Sequence, residues 1–586
     1  MTAVAELVRT PALNGLSGRR LGALGLAIVG VGALMVWRLF SLQVIEPEQF
    51  VEHGENQRIR TAELAAARGD IVDRNRVALA VSSPRQSIWA DPRLIVDPAA
   101  TAAQVASLTG EDAALLAGRL DDPTGERKFS WMARQLDDDL ADAVLELGLP
   151  GIYATEEQAR LTPAGGNVAR GILGRTDSYG VGISGLEAQF DELLTGDSGR
   201  VVVERGLGVA GERGVTIPDG QFELIAPTQG DSIQLTLDRT VQFEVENLLE
   251  QTVAESGARS GTVVVSRTAT GEILAMATVA RTNAGVIGVS GENKAVTWVV
   301  EPGSISKPIA IAALLEEDLI TSQTTVEVTD ELEVYDAVFA DSVRHDQDVL
   351  TTGEVLASSS NVGVALMVDR IGDGLFREYL SDFGLGAPTL LEFPGESSGI
   401  LHPLDEWSGV SKPFAAIGYG YAATPLQMLR AYNVFANDGV LVEPHLVGGI
   451  HRSDGSFDIV SPREGRRVVS TDTADEVTSL LAGVVAEGGT GVLASVPGYE
   501  IAGKTGTARI AQSGGGYEDN NGDVHLLTSF AGFLPASNPE LSIIVMIEEP
   551  EGDASGGRIA APLFGEISNF ALQHFRIPPA ESVSAR

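Results

Sequence analysis

Apolar and polar residues alternate with different periods along the chain, and the longest apolar stretch lies near its beginning. Residues 21–37 (LGALGLAIVGVGALMVW) contain no charged residue, and apolar character resumes after Arg38 with LFSLQVI. Together these segments reach the roughly 20 residues that are needed to cross the hydrocarbon core of a bilayer. No small-x-small cleavage site follows, and the run is too long for a secretory signal. The pattern therefore predicts a transmembrane helix over residues 21–45.

The charges beside this helix predict its orientation. Arg9, Arg19 and Arg20 precede the apolar run. Because short flanking segments rich in arginine stay on the cytoplasmic side, residues 1–20 are predicted to be a cytoplasmic tail. We therefore expect a single-pass protein of the cell membrane, with the rest of the chain outside the cytoplasm.

Residues 46–225 mix short helical and strand-like stretches. ARGDIVDRNRVALAVS (67–82) has strand character around a turn at Asp73–Arg76. The segment 100–147 is rich in Ala, Leu and Asp and predicts helix, and 182–200 predicts a glycine-flanked helix that leads into the strand RVVVERG. We expect one mixed domain here.

The pattern changes at about residue 226. GDSIQLTLDR predicts a strand before an amphipathic helix, and GTVVVSRTATGEILAMATV (261–279) predicts a β-hairpin that turns at Thr270-Gly271. SISKPIAIAALLEEDL predicts a helix with proline in its first turn. Three strand-like runs follow near the end, IAGKTGTARI, TSFAGFLPA and LSIIVMIEE. Strands at both ends with helices between them predict an α/β (α+β) domain over 226–575, in which distant segments complete an antiparallel sheet. Residues 576–586 are predicted to be a flexible tail.

Composition narrows the possible functions. The chain has 586 residues, of which 44% are hydrophobic, so two or three globular units are expected. The formal net charge of −39 argues against nucleic acid as a partner, because a phosphate backbone repels such a surface. The absence of cysteine excludes disulfides, thiolate catalysis and cysteine-bound zinc.

Lysine is unusually scarce. Of the 41 basic residues only five are lysine, namely Lys128, Lys294, Lys307, Lys412 and Lys504. Arginine keeps its proton in proteins, whereas a desolvated lysine can lose it. The lysines are therefore the first candidates for proton chemistry.

Ser304 and Lys307 in EPGSISKP form the first candidate pair. Positions i and i+3 of a helix share a face, so the lysine amine can approach the serine hydroxyl. At a helix N-terminus, free N–H groups and the dipole stabilise negative charge, and a buried lysine can act as the base for serine. The structural alternative is an ordinary N-cap with a solvated lysine, and the S-x-x-K spacing by itself does not decide between them.

Two further stretches strengthen the catalytic interpretation. ASSSNVG places Ser359 and Asn361 two residues apart, which by itself is typical of a polar loop or helix cap. IAGKTGTARI places Lys504, Thr505, Gly506 and Thr507 in a strand pattern, where the glycine lets a substrate backbone lie against the strand. The lysine and threonines there offer a cation and hydroxyls to a carboxylate. Three such motifs in this order are hard to attribute to chance.

The order S-x-x-K, S-x-N, K-T-G resembles that of the penicillin-recognising serine acyltransferases. ARGDIVDRNRVALA and GVGISGLEAQFDELLTGDSG also resemble segments of the class B penicillin-binding proteins, and the likeness covers residues 20 to about 570. Arg76 departs from the glycine that is usual in the D-R-N-G turn. The resemblance implies a membrane helix, an elongated mixed pedestal (dimerisation) domain over 46–225, and a transpeptidase domain whose antiparallel sheet is flanked by helices, as in serine β-lactamases.

The resemblance also implies a reaction. The substrate would be the D-Ala-D-Ala end of a peptidoglycan stem peptide, and Ser304 would form an acyl-enzyme with Lys307 as base. Ser359 and Asn361 would relay protons and hold the peptide. An amine of a neighbouring stem would then take the acyl group, and β-lactams would acylate Ser304 and stall. No metal or cofactor is implied.

The K-T-G strand receives its roles from the same resemblance. Lys504, Thr505 and Thr507 would bind the terminal carboxylate, and Gly506 would be the substrate-binding position at which the strand lies against the substrate backbone. The backbone N–H groups of Ser304 and Thr507 would form the oxyanion hole.

Other functions remain open at this point. The length and the lack of a C-terminal repeat module favour the division-specific (septal) enzyme. An elongation-specific paralogue is the close alternative. A D,D-carboxypeptidase or β-lactamase would not need the region 46–225, and no E-x-x-x-N stretch follows Asn361 to activate a water. A non-catalytic scaffold or β-lactam sensor would not need Ser304, Lys307 and Lys504 together. No glycosyltransferase motif is evident, so a polytopic glycan polymerase and other division proteins are the expected partners.

Overall fold

The computed structural model describes residues 18–45, 58–163, 167–206, 222–343, 346–512 and 514–579. The contacts within the chain define two compact units, Met1–Ala65 with Ser198–Pro227 and Ala66–Asp197 with Thr228–Arg586. Residues 1–17, which include Arg9, and 580–586 hold most of the two predicted tails and lie outside the described residues, as do 46–57.

Helices and strands are numbered in chain order. The α-helices are α1 (Gly18–Phe40), α2 (Pro98–Thr109), α3 (Ala113–Leu120), α4 (Asp138–Glu146), α5 (Arg170–Leu173), α6 (Gly185–Gln189), α7 (Asp191–Leu194), α8 (Arg239–Glu255), α9 (Lys294–Thr297), α10 (Lys307–Glu316), α11 (Thr352–Ala357), α12 (Asn361–Val368), α13 (Asp373–Asp382), α14 (Ser411–Ala416), α15 (Pro425–Ala436), α16 (Thr471–Val485) and α17 (Ala560–His574). Short 3-10 helices cover Pro92–Leu94, Gly303–Ser306, Leu404–Glu406 and Val492–Ala494.

The strands are β1 (Ile59–Leu64), β2 (Ile71–Val72), β3 (Ala78–Ala90), β4 (Ser130–Leu136), β5 (Ile152–Leu161), β6 (Arg175–Thr176), β7 (Gly182–Ser184), β8 (Gly199–Glu204), β9 (Phe222–Ile225), β10 (Ser232–Leu235), β11 (Ser260–Arg267), β12 (Ile273–Arg281), β13 (Ile287–Val289), β14 (Thr325–Val328), β15 (Glu331–Val334), β16 (Ala337–Ala340), β17 (Asp348–Thr351), β18 (Val440–Leu441), β19 (Val447–His451), β20 (Phe457–Ile459), β21 (Arg466–Arg467), β22 (Ala502–Arg509), β23 (Leu526–Leu534) and β24 (Leu541–Glu548).

The first unit contains the apolar helix that the sequence predicts. α1 continues into a π-helical turn at Ser41–Ile45, and the whole of Gly18–Ile45 is long and apolar enough to cross a membrane. Large apolar side chains such as Leu26 and Leu34 are exposed along it. The predicted helix is therefore confirmed, and it suits a single-pass membrane anchor. The same unit contains a three-stranded antiparallel sheet in the order β1-β8-β9.

The second unit is built around a six-stranded sheet in the order β13-β12-β11-β24-β23-β22, in which every neighbouring pair is antiparallel. Val263 and Val265 face a core shared with α8 and α17, whereas Val264 faces a core shared with α10, α12, α15 and α16. This alternation is the period-2 pattern of a strand that is buried on both faces. The antiparallel sheet completed by distant segments is confirmed, as is the hairpin that turns at Gly271 (φ 74°).

A second, mixed sheet has the order β20-β19-β10-β2-β3-β4, with β5 also paired to β3. It joins strands from residues 71–161 to strands from 232–459. Helices α2, α3 and α4 cover one face of β3, β4 and β5, with Ile88 and Met132 in the core between them.

The helix predicted over 100–147 is wrong at Ser130–Leu136, which forms β4 and pairs with β3. Trp131 and Met132 lie on opposite faces of this strand. Pairing with β3 decides its conformation, although the residues on either side favour helix. The helix predicted over 182–200 is divided in two at Phe190, and α6 and α7 precede β8.

Arg76 adopts the backbone conformation that glycine favours. Its φ is 64°, within a turn in which the Asp73 carboxylate accepts hydrogen bonds from the N–H groups of Asn75 (2.7 Å) and Val77 (2.8 Å). These bonds offset the cost of a left-handed conformation in a residue with a Cβ atom. The turn predicted at Asp73–Arg76 is therefore present despite the arginine.

Candidate active site

Ser304 lies on the 3-10 helix Gly303–Ser306, directly before α10. Ser304 is half-buried. α10 begins at Lys307, and Pro308 is its second residue, where the missing backbone N–H costs no helical hydrogen bond. In a 3-10 helix, residues i and i+3 eclipse one another because each turn takes three residues. Across this turn the backbone N–H of Lys307 donates to the Ser304 carbonyl, so the two residues lie one turn apart.

Two tyrosine hydroxyls fix this turn from behind. The Tyr432 hydroxyl donates to the Ile305 carbonyl at 2.8 Å, and the Tyr421 and Ser306 hydroxyls are hydrogen-bonded to each other. Both tyrosine side chains are buried. No motif in the sequence had marked them as site residues.

Lys307 is fully buried. Its Nζ donates to the backbone carbonyl of Ser359 at 2.5 Å and to the Ser359 hydroxyl at 3.2 Å. Burial lowers the pKa of the Lys307 amine from 10.5 to about 7, and the negative charge of Asp341 opposes this shift. The amine is thus held where a substantial neutral fraction exists near neutral pH, as a general base requires.

Ser359 is in the left-handed region of the backbone map, with φ 63°. It lies between α11 and α12, and this conformation turns its carbonyl towards Lys307. Non-glycine residues in such conformations persist only when their surroundings fix them, and they are concentrated at functional sites. The strain at Ser359 therefore supports a functional role for the S-x-N segment.

Asn361 is the first residue of α12. Its side-chain amide donates to the Ala340 carbonyl at 2.8 Å, and its backbone N–H donates to Asp341 at 2.5 Å. Asp341 is 20 residues away along the chain. No spacing rule connects the two positions, which is why Asp341 was absent from the residues predicted from sequence.

Lys504 lies on β22 and is fully buried. Its Nζ donates to the Thr505 carbonyl at 3.1 Å. Burial, followed by the positive charge of Lys307, lowers the pKa of Lys504 well below its usual value. Protonation of Lys307 therefore opposes protonation of Lys504.

The threonines of the K-T-G-T run have different surroundings. Thr505 is buried, and its hydroxyl is hydrogen-bonded to the Thr490 hydroxyl at 2.8 Å. Thr507 is exposed, and its hydroxyl accepts from the Gly556 N–H at 3.1 Å. Thr507 is thus the more accessible hydroxyl, and Thr490 is a neighbour that sequence spacing does not reveal.

Gly506 brings the strand against the serine. A Cβ atom at this position would lie 2.3 Å from the Ser529 hydroxyl and 3.1 Å from Ile305 Cγ2. The glycine is therefore needed for the close packing of β22 against the 3-10 helix that carries Ser304. The role that the sequence predicts for Gly506, the approach of a substrate backbone, stays a prediction.

The structure thus brings the three motifs together. Lys307 is hydrogen-bonded to Ser359, and its positive charge lowers the pKa of Lys504. Gly506 packs beside Ile305. The other lysines lie elsewhere: Lys294 pairs with Glu548 (2.5 Å), Lys412 pairs with Asp373 (3.1 Å), and Lys128 is exposed. Two of the five lysines, Lys307 and Lys504, therefore lie in the candidate site. Within the described residues, no cluster of three or more histidine, aspartate or glutamate side chains is arranged to hold a metal ion.

Comparisons with known proteins show the family to which the chain belongs. Residues 261–569 match the penicillin-binding protein transpeptidase domain, and residues 63–212 match the penicillin-binding protein dimerisation domain. The chain is 34% identical to penicillin-binding protein PbpB of Mycolicibacterium smegmatis, over 94% of this chain and 90% of that protein. It is 31% identical to the peptidoglycan D,D-transpeptidase FtsI of Escherichia coli, over 93% and 90%.

A solved structure of similar fold is penicillin-binding protein 3 of Mycobacterium tuberculosis complexed with aztreonam. Its TM-score is 0.67 at 29% identity, and the match covers 89% of this chain and 98% of that one. A peptidoglycan synthetase from Bifidobacterium adolescentis matches with a TM-score of 0.69 at 26% identity, over 90% and 99%.

Proposed function

Because this chain belongs to the class B penicillin-binding proteins and is a serine-type peptidoglycan D,D-transpeptidase, we propose that Ser304 is its nucleophile. The observation that carries the proposal is the buried Lys307 amine, which is hydrogen-bonded to Ser359 and titrates near pH 7. A lysine with that pKa can accept the hydroxyl proton of a serine one turn away.

The first half-reaction is acylation. The neutral Lys307 amine takes the Ser304 proton while Ser304 Oγ bonds to the carbonyl carbon of the penultimate D-Ala. The C–N bond to the terminal D-Ala then breaks, and the proton passes from Lys307 through the Ser359 hydroxyl to the departing amine. Terminal D-Ala leaves, and the stem peptide remains as an ester of Ser304.

The second half-reaction is transfer. An amine of a neighbouring stem attacks the ester carbonyl, its proton returns to Ser304 through the same groups, and an amide cross-link forms. β-Lactams acylate Ser304 in the same way, and their ring opening leaves no departing group to clear the site.

Lys504, Thr505 and Thr507 are proposed to hold the terminal carboxylate. A bound carboxylate favours the protonated Lys504 amine, because an opposite charge offsets the burial and the Lys307 charge that lower its pKa. β22 is the edge strand of the sheet, so alternate N–H groups of its backbone face away from β23. The N–H groups of Thr507 and Ser304 are proposed as the oxyanion hole, and Gly506 as the residue that permits their approach.

The proposed domains follow the sequence: a cytoplasmic tail (1–20), a transmembrane anchor (21–45), a pedestal domain (46–225), a transpeptidase domain (226–575) and a short tail (576–586). We place the catalytic domain outside the cytoplasm, where peptidoglycan is cross-linked, because Arg19 and Arg20 flank the apolar helix on its N-terminal side. The chain carries no glycosyltransferase motif, so a membrane-embedded glycan polymerase is the proposed partner.

The proposed cellular role is septal cross-linking during division, which the similarity to FtsI supports. Depletion of the protein in its source bacterium should block septation. Loss of cell elongation with septa still forming would instead assign the chain to the elongation-specific class.

Covalent labelling of the full chain with a fluorescent penicillin tests the nucleophile. The wild type and Ser358→Ala, an exposed serine next to Ser359, should label equally, whereas Ser304→Ala should not label. Labelling of the Ser304→Ala variant would place the nucleophile elsewhere. Absence of labelling in the folded wild type would favour a non-catalytic scaffold.

A second assay separates transfer from hydrolysis. A D-Ala-D-Ala stem peptide is supplied together with a free amine acceptor, and the products are identified by mass spectrometry. An amide product establishes transpeptidation, and a product shortened by one alanine without amide formation would establish a carboxypeptidase.

A further inference from the structure

Asp341 follows the hairpin β15–β16 directly and is hydrogen-bonded to the S-x-N segment. Its Oδ2 accepts from the Ser360 hydroxyl at 2.7 Å, and its Oδ1 accepts from the N–H groups of Asn361 (2.5 Å) and Val362 (3.1 Å). Charge-assisted hydrogen bonds of this kind are roughly twice as strong as neutral ones. One carboxylate therefore fixes three consecutive residues.

The preceding residue of the hairpin contributes as well. The Ala340 carbonyl accepts from the Asn361 side-chain amide at 2.8 Å. The end of β16 thus holds both the backbone and the side chain of Asn361. The position of Asn361, to which peptide binding is assigned above, depends on this strand end.

These contacts act on Ser359 through its neighbours. Ser359 keeps φ at 63° while its carbonyl and hydroxyl accept from Lys307. A left-handed conformation is unfavourable for a non-glycine residue, so Ser359 would relax if the following residues were released. Relaxation would move both acceptors away from the Lys307 amine.

The charge of Asp341 also reaches Lys307. Asp341 at the end of β16 favours the protonated Lys307 amine, against the burial that lowers its pKa. Lys504 on β22 is the other titratable amine here, and the positive charge of Lys307 lowers the pKa of Lys504. The Asp341 carboxylate therefore has a geometric effect and an electrostatic effect on the same base.

We propose that Asp341 is a positioning residue of the transpeptidase reaction, whose carboxylate holds Ser359 and Asn361 in the arrangement in which Lys307 exchanges protons with the serines. The inference rests on the proposed function, because it assigns to Asp341 a role in acylation of Ser304. A purely structural cap of α12 is the competing explanation. That cap would stabilise the fold without affecting the pH dependence of the reaction.

The test compares Asp341→Asn with Asp336→Asn in the full chain. Asp336 lies in the exposed turn of the same hairpin, so this control makes the same change of charge at the far end of the element. Acylation by a fluorescent penicillin is followed between about pH 5.5 and 9.5, and the binding constant is separated from the acylation rate constant. Thermal unfolding of each variant is measured in parallel.

We expect Asp341→Asn to lower the acylation rate constant about 10- to 100-fold, because small displacements of catalytic groups have effects of this size. The acid limb of its pH–rate profile, where the acylation rate rises with pH, should move to lower pH by about one unit. The reason is that loss of the negative charge favours the neutral Lys307 amine. The binding constant should change much less, and Asp336→Asn should match the wild type. An unchanged rate, or a lower rate with an unmoved acid limb, would leave Asp341 as a structural cap only.

Asp341→Glu keeps the inference testable if Asp341→Asn does not fold. It retains the charge but displaces the carboxylate by one methylene, so the rate should fall while the acid limb stays at the wild-type pH. A wild-type rate in Asp341→Glu would overturn the positioning role. If instead the wild type itself does not label at Ser304, the proposed function fails, and this outcome is distinct from failure of the Asp341 inference alone.

Discussion

At the scale of single residues, the proposed site depends on two lysines that are buried in the folded protein. Lys307 and Lys504 are both fully buried, and burial is the main cause of their lowered pKa values. An ammonium group leaves water at a large cost in free energy, which deprotonation relieves. Burial thus gives Lys307 the neutral fraction near pH 7 that its proposed role as base requires.

The first prediction concerns the pH dependence of acylation. The reacting form of Lys307 is the neutral amine, so the rate should rise with pH and reach half its maximum near pH 7. Measurement of the acylation rate by a fluorescent penicillin over a pH series checks this. A midpoint near the ordinary lysine pKa, or a flat profile, would contradict the assignment of Lys307 as base.

The second prediction concerns the free energy of unfolding, which burial of the Lys307 amine lowers. The folded protein binds fewer protons at Lys307 than the unfolded chain does between about pH 7 and 10.5, so its stability rises with pH over that interval. Lys307→Met has similar volume and no charge to bury. Its free energy of unfolding at pH 7 should therefore exceed that of the wild type by on the order of 1–4 kcal/mol, and its unfolding temperature should be higher. Both differences should narrow towards pH 10.

Thermal unfolding in detergent at pH 6, 8 and 10 measures this difference. Lys128→Met, at an exposed lysine, is the matched control and should leave the midpoint unchanged. A Lys307→Met midpoint below that of the wild type at pH 6 would mean that the hydrogen bonds to Ser359 outweigh the cost of burying the amine.

At the scale of elements, the site is a junction between the edge strand β22 and the 3-10 helix Gly303–Ser306. Glycines permit the close approach on both sides. A Cβ atom at Gly506 would meet Ser529 and Ile305, and one at Gly418 would lie 2.1 Å from the Gly303 carbonyl oxygen. Gly418 also accepts a hydrogen bond from the Gly303 N–H at 3.0 Å. On the β22 side, a Cβ atom at Gly303 would lie 2.8 Å from Ala508 Cβ, so the missing side chains of Gly303 and Gly506 allow β22 to approach the helix.

The third prediction is that Gly506→Ala lowers the acylation rate about 10- to 100-fold. The new Cβ would push β22 away from the helix, and an ångström-scale displacement of catalytic groups has effects of this size. The nearest obstructing atom is the Ser529 hydroxyl, which is buried and has no hydrogen-bond partner among the described residues. The double variant Gly506→Ala/Ser529→Ala should therefore recover part of the rate.

Gly448→Ala is the matched control for this series. Gly448 lies in β19, and its Cβ would find its nearest atom at 3.6 Å, an ordinary van der Waals distance. This variant should acylate at the wild-type rate. If Gly506→Ala also acylated at that rate, the strand and helix would not need the close contact.

At the scale of the whole second unit, a buried ionic cluster joins segments that are far apart in sequence. Glu187 on α6 accepts from Arg68 (2.6 Å) and from Arg160 at the end of β5 (2.7 Å), and all three side chains are at most 9% exposed. Arg68 also donates to Asp191 at 2.7 Å. The cluster explains why ARGDIVDRNRVALA and GISGLEAQFDELL occur together: the arginine of one segment needs the glutamate of the other.

The fourth prediction is that Glu187→Gln destabilises the protein by about 3–5 kcal/mol, because it removes the carboxylate paired with the buried Arg160 and leaves Arg68 with only the partly exposed Asp191. Asp191→Asn is the control, since Asp191 is one-third exposed and pairs with Arg68 alone. Its effect should be clearly smaller in a thermal unfolding series. Equal midpoints for the two variants would mean that the charge of Glu187 is dispensable.

The elements that the sequence predicts correctly are those with a strong local pattern. The apolar helix, the hairpin β11–β12 and the strands β22, β23 and β24 all carry their period in their own residues. The segment Ser130–Leu136 fails because its conformation is decided by pairing with β3, and no local pattern overrides the helix formers around it.

The sequence by itself determined the chemistry of the site. It identified Ser304, Lys307, Ser359, Asn361 and Lys504 as candidates, because residue type and short spacing decide which groups can act as nucleophile, base and cation. These properties are local, so they can be predicted without coordinates.

Only the tertiary structure decided the environment of those groups. The burial that lowers the pKa of Lys307, the left-handed turn at Ser359 and the Asp341 carboxylate all depend on elements that meet from distant parts of the chain. Desolvation and long-range hydrogen bonds are properties of the packed fold. No spacing rule connects residues 20 or 50 positions apart, so the sequence named the candidate groups and the fold determined their environment.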